Sequence, residues 1–299
     1  MLPHGLSFAI FAARARLAAA VRKPPEADVQ QEFRAPFPVQ DPPMTAIGRH
    51  AARCAAALVL LFLAAGPVAA GCRDSPRAGV DWTNCVKLRL MLSSSDLSGA
   101  VLNGARLTGT DFSETKLAGA KLAEAELSFV RFEGADLSGA DLTKAAGGRT
   151  NFQRANLRNA HFEGSEFSRS NFQQAQLAGA DFSKAEVNRS TFQGADLTGA
   201  DMSKAELART VLSNAKISGV SFSYSNLGRA DLRGLDLSGV DLTGSYLFLT
   251  LLGGADLSQA KGLEQEQLDL ACGTSETKLP AGLARPQNWP CGENVEREG

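Results

Sequence analysis

From Leu92 to Leu257, every fifth residue is large and apolar. Of those 34 positions, 33 hold Leu, Phe, Ile, Val or Met, and the exception is Gly147. Two residues earlier stands Ala most often, and at most other units Ser, Thr or Val. The consensus is A-D-L-S-G, as in Ala135-Asp136-Leu137-Ser138-Gly139 and Ala195-Asp196-Leu197-Thr198-Gly199. A period of five suits neither an amphipathic helix nor a flat strand. A helix would rotate successive Leu side chains by about 140° and scatter them round its axis. The chain must therefore turn a corner every five residues. Each unit then sends one large and one small side chain inward. The other three positions are Asp/Asn/Glu/Lys, Ser/Thr and Gly, which are turn-forming types.

A second period, of twenty, sets the number of corners per coil. The stretches starting at 151, 171 and 191 align without a gap. Phe112, Phe132, Phe152, Phe172 and Phe192 fall in one column. Gln153, Gln173 and Gln193 fall in another, and Glu166, Glu186 and Glu206 in a third. Four pentapeptides per coil give four faces, and layers stack at about 4.8 Å. Some eight coils would make a rod of about 40 Å. No coil buries its Leu and Ala alone, so stability is shared between neighbours. Gly147 forfeits one apolar anchor, and a local bulge or void is expected there.

The run of A-D/N-L-x-x units resembles the pentapeptide-repeat family, over about 170 residues. The resemblance implies an all-β solenoid, a right-handed quadrilateral β-helix of pentapeptide repeats, usually without enzymatic activity. The expected layout is a β-helix over 93–260, a lead-in over 71–92 and a C-terminal cap and tail over 261–299. In the lead-in, Trp82, Val86, Leu88 and Leu90 are expected to run into the first coil. Tyr246, Phe248, Leu249 and Leu251 put apolar groups at normally polar repeat positions. A short helix over 263–271 and the Trp289 tail are expected to pack on them. An exposed docking patch is the alternative. The tail also resembles C-terminal segments of secreted bacterial pentapeptide proteins.

Ahead of the repeats, the segment 44–70 reads as a secretory signal. Arg49, His50 and Arg53 are its basic region, and residues 54–65 are an apolar run of twelve. Val68-Ala69-Ala70 offers a cleavage site, so the expected location is periplasmic or secreted. The run is short for a permanent membrane helix. Residues 1–43, rich in Pro and Ala, read as an over-extended gene start or a disordered extension. Beyond Cys54, four cysteines remain: Cys72, Cys85, Cys272 and Cys291. An even count after an export signal reads as two disulfides, Cys72–Cys85 and Cys272–Cys291, since other pairings would span the repeats. Lipid anchoring through Cys72 is the alternative, and it would strand Cys85.

No catalytic chemistry is legible. Past the leader the sole histidine is His161, at an outward position. No Ser-His-Asp or Cys-His set, phosphate loop or histidine metal cluster stands out. No cofactor or metal is expected, and the chain reads as a non-enzyme. The net charge is −1, and residues 92–260 hold 16 basic and 19 acidic residues, a net of −3. That balance argues against a nucleic-acid binder.

One surface pattern rises above this background. Arg149, Arg169, Arg189, Arg209 and Arg229 recur every twenty residues, with Lys144, Lys184 and Lys204 five residues earlier. They form a candidate stripe for an acidic polysaccharide, lipid headgroup or acidic protein. The competing reading is a self-neutralised ladder through Glu186 and Glu206, each pair worth a few tenths of a kcal/mol. The expectation is thus an exported scaffold or binding rod, its partner an unknown protein or anionic envelope component. A homodimer through one end is a further option. The alternative is DNA mimicry, since some members of the family resemble B-DNA and protect DNA gyrase. That needs an acidic surface and a cytosolic address, and both the charge and the leader oppose it.

Overall fold

The computed structural model of the protein describes residues 71–291. The extension 1–43, the leader 44–70 with Cys54, and the junction after Ala70 lie outside the described residues.

The two periods become one register. With one exception, each residue numbered in 1 or 6 forms a parallel β-bridge with the residue twenty further on, from Asp81↔Val101 to Asp241↔Lys261. The bridges therefore run in four parallel ladders. Ladder pairing begins at Asp81, ahead of the expected start at 93, so the lead-in already belongs to the stack. At the far end Leu251↔Cys272 and Asp256↔Lys278 pair at 21 and 22 residues, where the tail takes a longer path.

Both inward positions are buried as expected. Leu97, Leu137, Phe152 and Leu197 are fully buried, as are Ala135, Ala155 and Ala195. Phe112, Phe132, Phe152, Phe172 and Phe192 stack face on, with ring centroids 5.3, 5.1, 4.8 and 4.7 Å apart. Phe162 and Phe182 stack in a second column at 4.3 Å. Such ring pairs add about 0.5–1.5 kcal/mol each beyond area burial.

The polar consensus positions serve the turn. An Asp at the bridge position accepts the backbone N–H two residues on, and often the hydroxyl there. Asp196 accepts from Thr198 N at 3.1 Å and Thr198 Oγ1 at 2.6 Å. Asp241 and Thr243 repeat this at 2.9 and 2.6 Å. This Asx turn explains why Asp is followed two residues later by Ser or Thr. Some small inward positions carry hydroxyls, and several of these reach carbonyls in the coil before. Thr150 Oγ1 donates to Leu127 O at 2.9 Å, Ser190 Oγ to Phe167 O at 3.0 Å and Thr250 Oγ1 to Leu227 O at 2.7 Å.

The bulge or void expected at Gly147 does not form. Gly147 N donates to Glu166 O at 2.7 Å, in register. The ring of Phe167 occupies the place a Gly147 side chain would need, so the larger residue one coil on fills the gap. A different irregularity is present. Among the described residues, Lys216 and Asp236 do not bridge each other, although each pairs on its other side, with Asp196 and Asp256. Leu235 there replaces the Ala of Ala195, Ala215 and Ala255 in the small inward column. A buried Leu in an Ala slot holds the coils apart.

The expected helix over 263–271 is shorter, Gln265–Leu270, with a capping box between Glu264 and Gln267. Gln267 Nε2 donates to Leu242 O at 2.9 Å and Ser245 O at 2.8 Å. Trp289 is buried, and its Nε1 donates to Ala271 O at 2.7 Å. Leu251 is buried too, while Tyr246 and Phe248 stay exposed with rings 6.1 Å apart.

Candidate functional site

The candidate cations sit where the backbone is least ordinary. Lys144, Arg149, Arg169, Lys184, Arg189, Lys204, Arg209 and Arg229 all have φ between 56° and 60°. These are left-handed corner positions, which many other coils fill with Gly. The corner fixes each side chain outward. The twenty-residue register then places Arg149, Arg169, Arg189, Arg209 and Arg229 at one corner and Lys144, Lys184 and Lys204 at the next.

The column is not uniform. Arg149 lies over the Phe129 ring, 5.7 Å from its centroid. Phe129 is one coil earlier at the same corner, half-exposed, and was findable by subtracting twenty. Arg169 and Arg189 are exposed, and neither makes an ion pair with any other described residue. Arg209 and Arg229 are half-buried and partnered. Lys144 packs its stem beside Gly164 in the following coil.

The expected ladder of Lys184, Glu186 and Arg189 is not how the charges pair. Lys184 Nζ meets Glu163 Oε1 at 2.7 Å. Arg154 reaches Glu133 at 2.7 Å in the same relation, twenty-one residues back. The partner is the residue just before the corner one coil earlier, which the sequence reading missed. Glu166, Glu186 and Glu206 instead bridge to one another as successive rungs of one ladder. Glu206 accepts from Asn226 Nδ2 at 2.7 Å. Like charges on neighbouring rungs repel. The face therefore carries an acidic column between two basic corners, with Arg169 and Arg189 left outward.

The cysteines fall together in two pairs. Cys72 and Cys85 have Cα atoms 5.4 Å apart, as do Cys272 and Cys291, and both pairs lie at disulfide distance. His161 is exposed at an outward bridge position.

Comparison with known proteins fits this register. The model for the pentapeptide repeat region matches residues 165–242. The model for pentapeptide repeats in eight copies matches 92–122, 111–145 and 225–261. Together they cover just over half of the chain, which belongs to the pentapeptide-repeat family. Among solved structures, HetL is a pentapeptide repeat protein involved in heterocyst differentiation regulation, from the cyanobacterium Nostoc sp. strain PCC 7120. It is 29% identical, over 69% of this chain and 89% of HetL, with a TM-score of 0.47. QnrB1, a plasmid-mediated fluoroquinolone resistance protein, is 20% identical over 66% of this chain and 93% of its own, at 0.31. A pentapeptide repeat protein of the Arabidopsis thaliana thylakoid lumen is 26% identical over 52% and 86%, at 0.20. No curated protein matches the chain.

Proposed function

We propose that the chain is an exported, non-catalytic scaffold that binds a protein or an anionic envelope component through a side face. In this reading residues 93–260 form the body of a right-handed quadrilateral β-helix of about eight coils, and the 71–92 lead-in joins the stack from Asp81. The helix Gln265–Leu270 and the Trp289 tail, within 261–299, close its C-terminal end. The leader 44–70 directs export with cleavage after Ala70, and the two cysteine pairs are oxidised in the periplasm or outside the cell. The pairing of Cys72 with Cys85 supports this over a lipid anchor on Cys72.

The observation that carries the reading is the pair Arg169 and Arg189. They are exposed, one coil apart at the same corner, and without an ion pair among the described residues. Guanidinium groups repeated at about 4.8 Å suit a polymer or surface with repeated anions. Near-balanced charge over 92–260 speaks against DNA mimicry.

Retention on an immobilised sulfated polysaccharide at low salt tests the stripe. The double variant Arg169→Ala/Arg189→Ala should elute at clearly lower salt than the parent. Equal elution would remove the stripe as a binding surface.

A further inference from the structure

The two ends of the stack are finished differently. At the C-terminal end, Leu252 N donates to Cys272 O at 2.7 Å and Leu257 N to Lys278 O at 2.9 Å, so the tail covers the last coil. At the N-terminal end, the backbone N–H and C=O of Val86 and Met91 have no partner among the described residues. Their side chains, with Leu88 between them, are 57%, 76% and 42% exposed.

Lys87 stands in the column of Leu107, Leu127, Gly147 and Phe167, where a large inward side chain belongs. It is half-buried, and its Nζ lies 4.3 Å from the centroid of the buried Trp82 ring. The half-buried lysine thus lies against the Trp82 ring at the open end of the first coil. Arg89 is exposed at the next corner. Between residues 82 and 95 these two are the only charges, and both are positive.

We infer that this end docks on an anionic lipid surface. Val86, Leu88 and Met91 enter the interfacial layer, and Lys87 and Arg89 meet the headgroup phosphates. Exposed apolar residues alternating with cations suit a bilayer interface. The open backbone groups stay in the hydrated headgroup layer, where water satisfies them. A second copy fits less well, because end-to-end stacking would oppose two Lys87 and two Arg89. A straight acidic strand would meet one residue per face before the corner at Leu88-Arg89. This surface is separate from the arginine column.

Co-sedimentation of the full chain with vesicles tests it. The parent should bind vesicles containing phosphatidylglycerol, bind neutral phosphatidylcholine vesicles poorly, and be released by high salt. Lys87→Gln/Arg89→Gln should weaken binding about fivefold per charge. Val86→Ser/Leu88→Ser/Met91→Ser should weaken it too, and Met91→Ser alone, at the most exposed site, guards against misfolding. Arg169→Ala/Arg189→Ala, on the side face, should not by itself abolish the binding. The inference is overturned if the serine variants sediment like the parent, with or without the leader attached. It is also overturned if they split a vesicle-independent dimer, or if only the arginine variant loses binding.

Discussion

The ring of Phe167 lies in the space that a side chain on Gly147, twenty residues earlier, would occupy. The two residues share one inward slot across adjacent coils. Phe167 also meets Phe152 edge-on at 5.2 Å, so it cannot retreat freely. Gly147→Ala should destabilise the protein by about 1–3 kcal/mol through overpacking. Phe167→Leu in the same chain should recover part of that loss. Denaturant unfolding of the two single variants and the double checks this. Additive losses would show that the residues do not share the slot.

Leu235 acts as a wedge in an alanine column. The amides of Ile217 and Asp236, beside the missing rung, lack the backbone bonds their counterparts make. They should exchange with solvent at least about tenfold faster than those of Leu197 and Asp256. Leu235→Ala should let the rung form and slow both. Hydrogen exchange resolved by residue gives the answer, and uniform protection along this face would refute the wedge.

Buried hydroxyls differ in how they are satisfied. Thr150 and Ser190 donate to carbonyls of the preceding coil. Ser165 and Ser225 are buried with no hydrogen-bond partner among the described residues. Replacing Ser190 by Ala should cost about 1 kcal/mol. Replacing Ser225 by Ala should be neutral or stabilising, because the unmatched hydroxyl costs more than it returns. Thermal unfolding of both variants separates the cases, and equal destabilisation would contradict the assignment.

The C-terminal tail is tied to the last regular coil by a charge pair. Lys278 Nζ lies 2.8 Å from Asp256 Oδ2. The hydrogen bond from Lys278, with those from Ser258, pulls the Asp256 carboxyl down to about 2. The hydroxyl of Thr243 likewise holds Asp241 below the usual carboxylate range, and that of Thr198 does so for Asp196. A carboxylate with a lowered folded-state pKa binds its proton more weakly folded than unfolded. Its stabilisation is therefore complete above the unfolded value near 4 and is lost as the pH falls toward about 2. Stability should decline over that window, and Asp256→Asn should flatten the decline. Unfolding midpoints measured from pH 6 down to pH 2 test this, and an unchanged slope in the variant would count against it.

Much of the fold was legible because period five and period twenty are strict. The inward columns, the Phe stack and the four ladders follow from residue numbers alone. What the numbers hid is steric and electrostatic. Gly147 looked like a void, but Phe167 one coil on has the reach to fill it. Leu235 matched the pattern of apolar inward residues, yet its size breaks a rung. At the candidate site, the arginine column was visible, whereas the pairing of Lys184 with Glu163 depends on how corner side chains lean between coils. Lys87 sat unnoticed because a lysine at an inward position reads as polar until its neighbour Trp82 is placed.

The central claim is an exported, doubly cross-linked repeat scaffold. The most direct measurement is the intact mass of the protein recovered from the periplasm of an expressing host, with and without reductant. The account predicts a chain beginning at Gly71 that gains about four mass units on reduction, two per disulfide. A cytosolic, uncleaved chain whose mass does not change with reductant would contradict it.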